Sequence, residues 1–189
     1  ININEDSTYL LIKESLQRGI NCFYNDPSWV QADLKSKTVV KSKITKLNLD
    51  CNDKLIYSKK LLSSRNLEFF DAIFIRQDPP FNMNYISNTY LLEKLQNPII
   101  INNPTEIRNN PEKHIMMNFP KLTPPTLISS NIESLIEFIN NQKIIVLKPA
   151  YGNGGLGIVK LTYKQKNLKK YLQNYFHKFS KNPVIAQKF

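Results

Sequence analysis

The stretch from 148 to 159 reads KPAYGNGGLGIV and combines a lysine with closely spaced glycines. Gly152, Gly154 and Gly157 have the GxGxxG spacing of a dinucleotide-binding fingerprint. That fingerprint requires a strand before the glycines and a helix after them, because the N-terminus of the helix holds the pyrophosphate. Here the glycines lead into residues 157–163, whose β-branched, alternating pattern predicts a strand. The spacing therefore does not indicate a dinucleotide site.

Two other phosphate-binding loops also fit poorly. A Walker loop ends in Gly-Lys-Ser/Thr, but Ile158 follows Gly157. A protein kinase would add HRD and DFG sequences, and neither occurs in the chain. Two interpretations remain open. The loop is either a glycine-rich lid over nucleotide phosphates, with Lys148 supplying a positive charge, or a plain β-hairpin turn beside a surface lysine.

Regular elements surround this loop in the second half of the chain. Ser130 and Glu133 form a capping box, which predicts the start of a helix. The apolar patterns that follow predict, in order, a strand at 143–148, the loop, a strand at 157–163, a helix at 168–179 and a strand at 184–189.

The chain before this region begins with a predicted helix and a poorly patterned segment. Asp6 or Ser7 can cap a helix at 6–18, and Gly19 is a suitable C-terminal stop. Residues 26–66 are polar and weakly periodic, so we expect irregular chain there with at most one short hairpin.

Two apolar, β-branched runs at 72–76 and 98–102 predict buried strands. The segment 85–96 between them predicts a helix, and strand, helix and strand in this order favour a right-handed parallel crossover. The residues that this helix is expected to bury are Ile86, Tyr90 and Leu95.

A further helix is expected at 109–119, with Asn110 as its cap and Pro111 at its first position. Lys113 would then lie in the first turn, where a cation is unfavourable unless an anion is near. The proline-rich segment 119–127 predicts an extended linker. We expect two domains, residues 1–111 and residues 112–189.

Composition excludes few classes of function. The chain has a formal charge of +11, but its 26 basic residues are mostly lysines spread along the chain. Arginine, the better reader of phosphates and base edges, is scarce, so we expect no nucleic-acid partner. No apolar run is long enough to span a membrane. Cys22 and Cys51 form no CxxC motif, and this fits a reducing cytoplasm without a zinc site or disulfides.

Four strings in order add a family resemblance: DAIFIRQDPPFNMNYISNTYLLE, INNPTEIRNNPEKH, FPKLTPPTLISS and VLKPAYGNGGLGIVKL. Together they resemble prokaryotic glutathione synthetase, an ATP-grasp ligase, and the resemblance runs from the first residues to Phe189. It implies an α/β fold in which an open parallel-sheet N-terminal domain is followed by the first α+β lobe of an ATP-grasp domain. Ala150 and His114 depart from the commonest family pattern.

The resemblance implies ATP- and Mg²⁺-dependent ligation of γ-glutamylcysteine to glycine through an acyl phosphate. It also implies a chain truncated at its C-terminus and at its N-terminus, with the metal ligands and the catalytic residues expected beyond Phe189. We therefore expect the chain to be inactive alone, and the full-length enzyme to be a homo-oligomer. The alternatives are a nucleotide-binding or interaction module without catalysis, and a related ligase with another acceptor.

The resemblance also assigns candidate site residues. For ATP they are Lys113 and Lys148 at the phosphates, Gly152, Asn153, Gly154 and Gly155 in the lid, and Gln187, Lys188 and Phe189 at the adenine. Arg76 and Asp78 are the candidates for the peptide substrate. For these two residues, stabilisation of the Asp-Pro-Pro turn is an equally open interpretation.

Overall fold

The computed structural model describes residues 6–34, 37–57, 62–152, 154–179 and 181–189. The chain divides into two compact units. Unit 1 comprises the residues up to Asp78 and Asn84–Arg108, and unit 2 comprises Pro79–Met83 and Asn109–Phe189. The short Pro79–Met83 segment thus packs with unit 2, although the chain on both sides of it belongs to unit 1.

Unit 1 begins with helix α1, Ser7–Gln17. Oδ1 of Asp6 accepts hydrogen bonds from the backbone N–H groups of Thr8 and Tyr9, at 2.7 and 3.1 Å. This caps two donors that the first helical turn leaves without partners. Gly19 follows the helix with a φ of 78°, a conformation that glycine adopts without strain. The predicted helix and both of its end signals are confirmed.

One long strand organises the five-stranded sheet of unit 1. The strands are β1 Phe23–Tyr24, β2 Gln31–Leu34, β3 Thr38–Leu49, β4 Leu55–Tyr57 and β5 Leu62–Asn66. β3 pairs antiparallel with each of the other four strands. The expectation of irregular chain at 26–66 is therefore wrong. Polar Ser42 and Thr45 are buried within β3, and consecutive Ile44 and Thr45 are both buried, which breaks the alternating pattern.

A parallel crossover follows this sheet, as predicted. Its elements are β6 Ala72–Phe74, α2 Met83–Leu92, β7 Ile99–Ile101 and the short helix α3 Pro104–Asn109. β6 and β7 pair in parallel. Leu95 is buried as expected, although it lies after the end of α2, and Ile86 is half-buried. Tyr90 is 54% exposed, and its ring lies under the guanidinium of Arg108. The core of the unit includes Val40, Leu67, Leu92 and Leu95.

The first segment of unit 2 after residue 108 differs from the prediction. The N–H groups of His114 and Ile115 both donate to the carbonyl of Pro111, at 2.8 and 3.2 Å. This closes a single turn and does not continue as an α-helix. Lys113 lies in that turn, so the expected helix at 109–119 is wrong, and with it the argument from the helix dipole.

Two short 3-10 helices, Ile115–Asn118 and Pro120–Leu122, occupy the next residues. Pro120 prevents one continuous helix, because the residue before a proline avoids the helical region. The linker at 119–127 was expected to be extended throughout. It is extended only after the second of these 3-10 helices, Pro120–Leu122.

The rest of unit 2 forms one sheet covered by two helices. Its elements are β8 Thr126–Ser129, α4 Ile132–Gln142, β9 Ile144–Pro149, β10 Val159–Thr162, α5 Leu168–Lys178 and β11 Val184–Lys188. All pairings are antiparallel in the order β10-β9-β11-β8. The predicted helix, strand, loop, strand, helix and strand are confirmed. The helix cap is Asn131 rather than Ser130, because Oδ1 of Asn131 accepts from the N–H of Ser134 at 2.8 Å.

Alternation along these strands separates two faces of the sheet. One face packs against α4 and α5 and supplies the core, which includes Leu135, Ile139, Ile145, Leu147, Leu161, Leu172, Val184 and Ala186. Residues at the intervening positions of β9, β11 and β8 point to the opposite face. Lys148 and Gln187 belong to that second face, so the sheet itself presents them away from the helices. In the part of the chain that is described, no helix combines the length and apolarity needed to cross a membrane.

Candidate functional site

The glycine loop connects the neighbouring strands β9 and β10, as the sequence predicts. Gly154 and Gly155 have φ values of 56° and 75°, in the left-handed region that favours glycine. A Cβ atom added at either position would have no heavy atom within 4 Å. These two glycines therefore form an open tip. Asn153, another predicted loop residue, lies outside the described residues.

The far end of the loop is closely packed. Gly157 has a φ of 78°, and a Cβ there would lie 2.4 Å from Cζ of Phe179 and 2.9 Å from Cγ of Pro149. The hydroxyl of Tyr175 in α5 donates to the carbonyl oxygen of Gly157 at 2.6 Å. The rings of Tyr175 and Phe179 are 4.7 Å apart. Helix α5 thus fixes the end of the loop in place.

Lys148 lies near the end of β9, where the strand leads into the loop. Its Nζ donates to Oε1 of Gln187 in β11 at 2.8 Å. Nε2 of Gln187 in turn donates to Oγ1 of Thr126 in β8 at 3.1 Å. A charged side chain at the loop is therefore held by neighbours on two further strands.

Lys113 reaches the same place from the turn before the first 3-10 helix. Its Nζ donates to the carbonyl oxygen of Pro149, the last residue of β9, at 2.8 Å. Partial burial lowers the pKa of Lys113, Glu112 raises it, and the positive charge of Lys148 lowers it further. Lys113 and Lys148, both assigned to ATP phosphates by the family resemblance, therefore meet at the end of β9: Lys113 bonds the carbonyl of the residue that follows Lys148.

Aromatic rings pack around Tyr151, at the end of the loop that follows β9. The ring of Tyr151 stacks on His114 at 5.3 Å and on Phe81 at 6.4 Å between centroids. The imidazole of His114, one of the two departures from the family pattern, is stacked on Tyr151, and its Nδ1 is buried without a hydrogen-bond partner among the described residues. Ala150, the second departure, is buried and only 4% exposed, so its small side chain fits a closed position.

The predicted adenine residues end the described chain on β11 and just after it. The N–H groups of Lys188 and Phe189 donate to the carbonyls of Pro125 and Ile144, at 2.9 and 3.1 Å. The Phe189 ring is 69% exposed, and Nζ of Lys160 lies 3.3 Å from its centroid. Both backbone donors are therefore committed to sheet contacts.

The two predicted substrate residues belong to unit 1. Nε of Arg76 donates to Oγ1 of Thr8 at 3.1 Å, and its Nη2 donates to Oγ of Ser7 at 2.7 Å. Asp78 is exposed in the same loop. Arg76 is thus oriented by the first turn of α1 while its guanidinium retains further donors.

No group of three or more His, Cys, Asp or Glu side chains within the described ranges could hold a metal ion. We therefore assign no ligand for Mg²⁺ among the described residues.

Sequence reasoning missed Thr126 and Tyr175. Thr126 gave no signal, because its contact with Gln187 depends on strand register. Tyr175 lies within the helix predicted at 168–179 but was not singled out. The available signal was a tyrosine on the apolar side of that helix. A hydroxyl buried in this way needs a hydrogen-bond partner.

Comparison with known proteins adds independent findings. Residues 1–108 match the family model described as prokaryotic glutathione synthetase, N-terminal domain. Residues 112–189 match the model described as prokaryotic glutathione synthetase, ATP-grasp domain. The two models together cover nearly all of the chain.

Curated relatives agree with these models. The glutathione synthetases of Brucella melitensis, Agrobacterium fabrum and Bradyrhizobium diazoefficiens are 36%, 34% and 31% identical over the whole of this chain. The matched regions cover 60%, 58% and 59% of those proteins. The chain therefore spans about 60% of the length of the curated relatives it matches.

Solved structures support the fold alone. The macrocyclase MdnC of Microcystis aeruginosa, bound with precursor peptide MdnA, matches with a TM-score of 0.53 and 16% identity, over 97% of this chain and 62% of that one. D-alanyl-alanine synthetase A of Vibrio cholerae matches with a TM-score of 0.52 and 15% identity, over 96% and 53%. With both family models and these relatives in agreement, the chain belongs to the prokaryotic glutathione synthetase family.

Proposed function

We propose that this chain is part of a glutathione synthase, an ATP-dependent ligase that joins γ-glutamylcysteine to glycine. The two family models and the names of the curated relatives support this proposal. We also propose residues 1–111 as its substrate-side domain and residues 112–189 as part of its ATP-binding domain. The bounds of the two family models, at 108 and 112, support that division.

The observation that carries the proposal is the meeting of two lysines at the start of the glycine loop. Nζ of Lys113 bonds the carbonyl oxygen of Pro149, the residue next to Lys148, and the charge of Lys148 lowers the pKa of Lys113. Each ammonium group has three N–H donors, and one of them has an intramolecular acceptor here. The remaining donors and the mutual repulsion favour a multiply charged anion, such as the triphosphate of ATP.

The glycine loop can add backbone N–H donors to the charges of the two lysines. Gly154 and Gly155 combine positive φ values with open space, which lets backbone N–H groups approach phosphate oxygens closely. We propose that Gly152 and Asn153 complete the lid. Closing it over the triphosphate would exclude water from the reacting groups.

Gln187, Lys188 and Phe189 are the proposed adenine side of the site. Because the N–H groups of Lys188 and Phe189 serve the sheet, we expect carbonyl oxygens to make the backbone contacts with adenine. The adenine amino group is a donor and suits such acceptors. On the substrate side, Arg76 would pair with a carboxylate of γ-glutamylcysteine, since a guanidinium binds carboxylates in two-pronged geometry. Asp78 is proposed to orient the same substrate.

The proposed reaction has two steps. The γ-phosphoryl group of ATP is transferred to the cysteinyl carboxylate, which gives an acyl phosphate and ADP. The glycine amine then attacks the acyl carbon, loses a proton and expels phosphate as the peptide bond forms. Mg²⁺ would accompany ATP and neutralise phosphate charge.

Three further features of the enzyme are proposals. Its partners are small molecules, and the full-length enzyme is expected to be a homo-oligomer by family resemblance. A cytoplasmic location is supported by Cys22 and Cys51, which are both free thiols in the structure.

Nucleotide binding by the purified 189-residue chain tests the central step. Titration calorimetry with ATP should show saturable binding, and Lys148→Ala or Lys113→Ala should weaken it about tenfold or more, since each removes charged hydrogen bonds. Lys169→Ala is the matched control, because Lys169 pairs with Glu133 on the exposed helical side. The absence of ATP binding, or equal loss in all three variants, would contradict the nucleotide site.

Catalysis needs a separate assay. We expect no turnover when this chain alone is given ATP, γ-glutamylcysteine and glycine, because it spans about 60% of the length of its relatives. ADP release coupled to NADH oxidation measures this. Turnover by the chain alone would overturn the assignment of catalytic groups to the remaining part of the enzyme.

A further inference from the structure

Three strands of unit 2 bring polar side chains into one row on the face opposite the helices. In the β9–β11 pair, Lys148 of β9 lies opposite Ile185 of β11. Gln187 is also in β11, two residues after Ile185. In the β11–β8 pair, Gln187 lies directly opposite Thr126. Because side chains alternate along a strand, Lys148, Gln187 and Thr126 all point to the same face.

Hydrogen bonds connect this row in one direction. Lys148 Nζ donates to Gln187 Oε1 at 2.8 Å, and Gln187 Nε2 donates to Thr126 Oγ1 at 3.1 Å. The Thr126 hydroxyl donates its own proton to the carbonyl oxygen of Pro124 at 2.7 Å. Each group therefore acts in the only role left to it. The ammonium can only donate, and the threonine oxygen, its proton already used, can only accept.

This arrangement fixes the orientation of the Gln187 amide. If the amide turned over, its NH₂ group would face the lysine ammonium and its oxygen would face a hydroxyl whose proton is bound elsewhere. Both contacts would be lost. Thr126 thus forces Gln187 to present its oxygen to Lys148.

The contact restrains Lys148 without blocking it. A lysine side chain has four rotatable bonds, and holding its end in one place before a ligand arrives removes an entropic cost from binding. Gln187 uses one of the three N–H donors of the ammonium, so two stay available for a phosphate.

We propose that Gln187, oriented by Thr126, is a positioning residue that holds the Lys148 ammonium ready for the triphosphate. The proposal rests on the proposed function, and it adds a side-chain role to a residue first selected for its backbone. The competing explanation is a cross-strand pair that only stabilises the sheet.

Variants of similar volume separate these explanations. Gln187→Met removes the acceptor but keeps the length of the side chain, and Thr126→Val removes the hydroxyl but keeps the shape. Thr126→Ser retains the hydroxyl and is the conservative rescue. Thr162→Val, on β10 of the same sheet, is the matched control. Thermal unfolding of every variant shows whether the sheet stays folded.

The first measurement is ATP affinity of the 189-residue chain by calorimetry. Gln187→Met should raise Kd about tenfold and Thr126→Val about threefold, because the first change frees the lysine side chain and the second only loosens the amide that holds it. Thr126→Ser and Thr162→Val should bind like the parent chain. In a Lys148→Ala background, Gln187→Met should cause no further loss, because there is no ammonium left to hold.

The second measurement needs no nucleotide. Acetylation of Lys148 by a limiting amine-reactive reagent, followed by mass spectrometry, should be several-fold faster in Gln187→Met. The neutral amine is the nucleophile, and a side chain held against Gln187 reaches the reagent less readily than a free one. Lys164, exposed on the turn after β10, is the internal reference within the same sample.

The outcomes are distinct. Failure of the parent chain to bind ATP contradicts the proposed function, while faster acetylation of Lys148 in Gln187→Met would still support the restraint. Unchanged acetylation overturns the restraint. An equal loss of affinity in the parent and Lys148→Ala backgrounds also overturns it, because Gln187 would then act independently of Lys148.

Discussion

The tip and the far end of the glycine loop use the same residue type for different reasons. Gly154 and Gly155 have positive φ values and open surroundings. Gly157 also has a positive φ, but Phe179 and Pro149 fill the space where its side chain would be. The tip needs glycine for its backbone conformation alone, whereas the far end needs it for backbone and packing.

This difference explains why the GxGxxG spacing is misleading. In a dinucleotide fold, the last glycine allows close packing of a helix on a strand. Here Gly157 also packs against a helix, but that helix is α5, which begins eleven residues later at Leu168. The same steric demand thus arises in a strand-loop-strand context. Four substitutions test the contrast, in order of decreasing effect.

Gly157→Ala should be the most damaging change. A left-handed residue with a Cβ costs about 1 kcal/mol, and overpacking against Phe179 and Pro149 adds about 1 to 3 kcal/mol. Urea unfolding should show the free energy of unfolding lowered by that sum. In a Phe179→Ala background the part of the packing cost that Phe179 causes should disappear, while the contact with Pro149 remains. An equal cost in both backgrounds would mean that packing against Phe179 does not require this glycine.

Tyr175→Phe should follow, because it leaves the carbonyl oxygen of Gly157 without its 2.6 Å donor. We expect a loss of about 1 to 2 kcal/mol of unfolding free energy, because a half-buried carbonyl loses its partner. Tyr171→Phe on the same helix is the control. Limited proteolysis should also cut the loop faster in Tyr175→Phe, and equal cutting rates would argue against an anchoring role.

The dependence of the free energy of unfolding on alkaline pH gives a second test of Tyr175. Burial, and to a smaller extent the neighbouring Tyr171, raise the pKa of Tyr175 well above its ordinary value. The folded state then holds the phenolic proton more tightly than the unfolded state, so stability falls as pH rises above about 10. This fall should be shallower in Tyr175→Phe than in the parent chain.

Gly155→Ala should cost about 1 kcal/mol of unfolding free energy, because its φ of 75° is unfavourable for alanine while its surroundings are open. Its effect on ATP affinity should exceed that of Gly157→Ala once each value is corrected for the folded fraction. A stability loss as large as that of Gly157→Ala would disprove the open tip.

Gly152→Ala should have the smallest effect on stability. A Cβ at this position would lie 3.2 Å from Cβ of Pro149, a tight contact that a small shift relieves. Replacing a glycine also lowers the entropy of the unfolded chain, which offsets that contact. We expect a change within about 0.5 kcal/mol by urea unfolding. A larger loss would mean that both ends of the loop are rigidly packed.

The order of elements around the loop could be predicted because local patterns determine it. The strands at 144–149 and 159–162 carry alternating or continuous β-branched residues, and the cap at Asp6 and the stop at Gly19 are local signals. The long strand β3 could not be predicted in the same way. Its buried Ser42 is stabilised by a 2.8 Å hydrogen bond from Asn25, a partner 17 residues away.

The site residues also divide into those that local sequence indicates and those that depend on distant contacts. Lys148 and the glycines stand out from their spacing, because the loop that contains them is continuous in sequence, but the family resemblance was needed to assign them to ATP. The contact between Lys148 and Gln187 could not, because it joins residues 39 apart through strand register. Lys113 was selected through family resemblance. Its physical setting, a turn that reaches the carbonyl of Pro149, became clear only from the structure.

The sheet order β10-β9-β11-β8 has a consequence for synthesis of the chain. β8 and β9 do not pair with each other, since β11 lies between them and is made last of the four. During translation, the edges of β8 and β9 that pair with β11 therefore have no partner strand until residues 184–188 have left the ribosome. Lys148, on β9, meets Gln187 only when that final strand inserts. The contact between these two side chains therefore cannot form before β11 has completed the sheet.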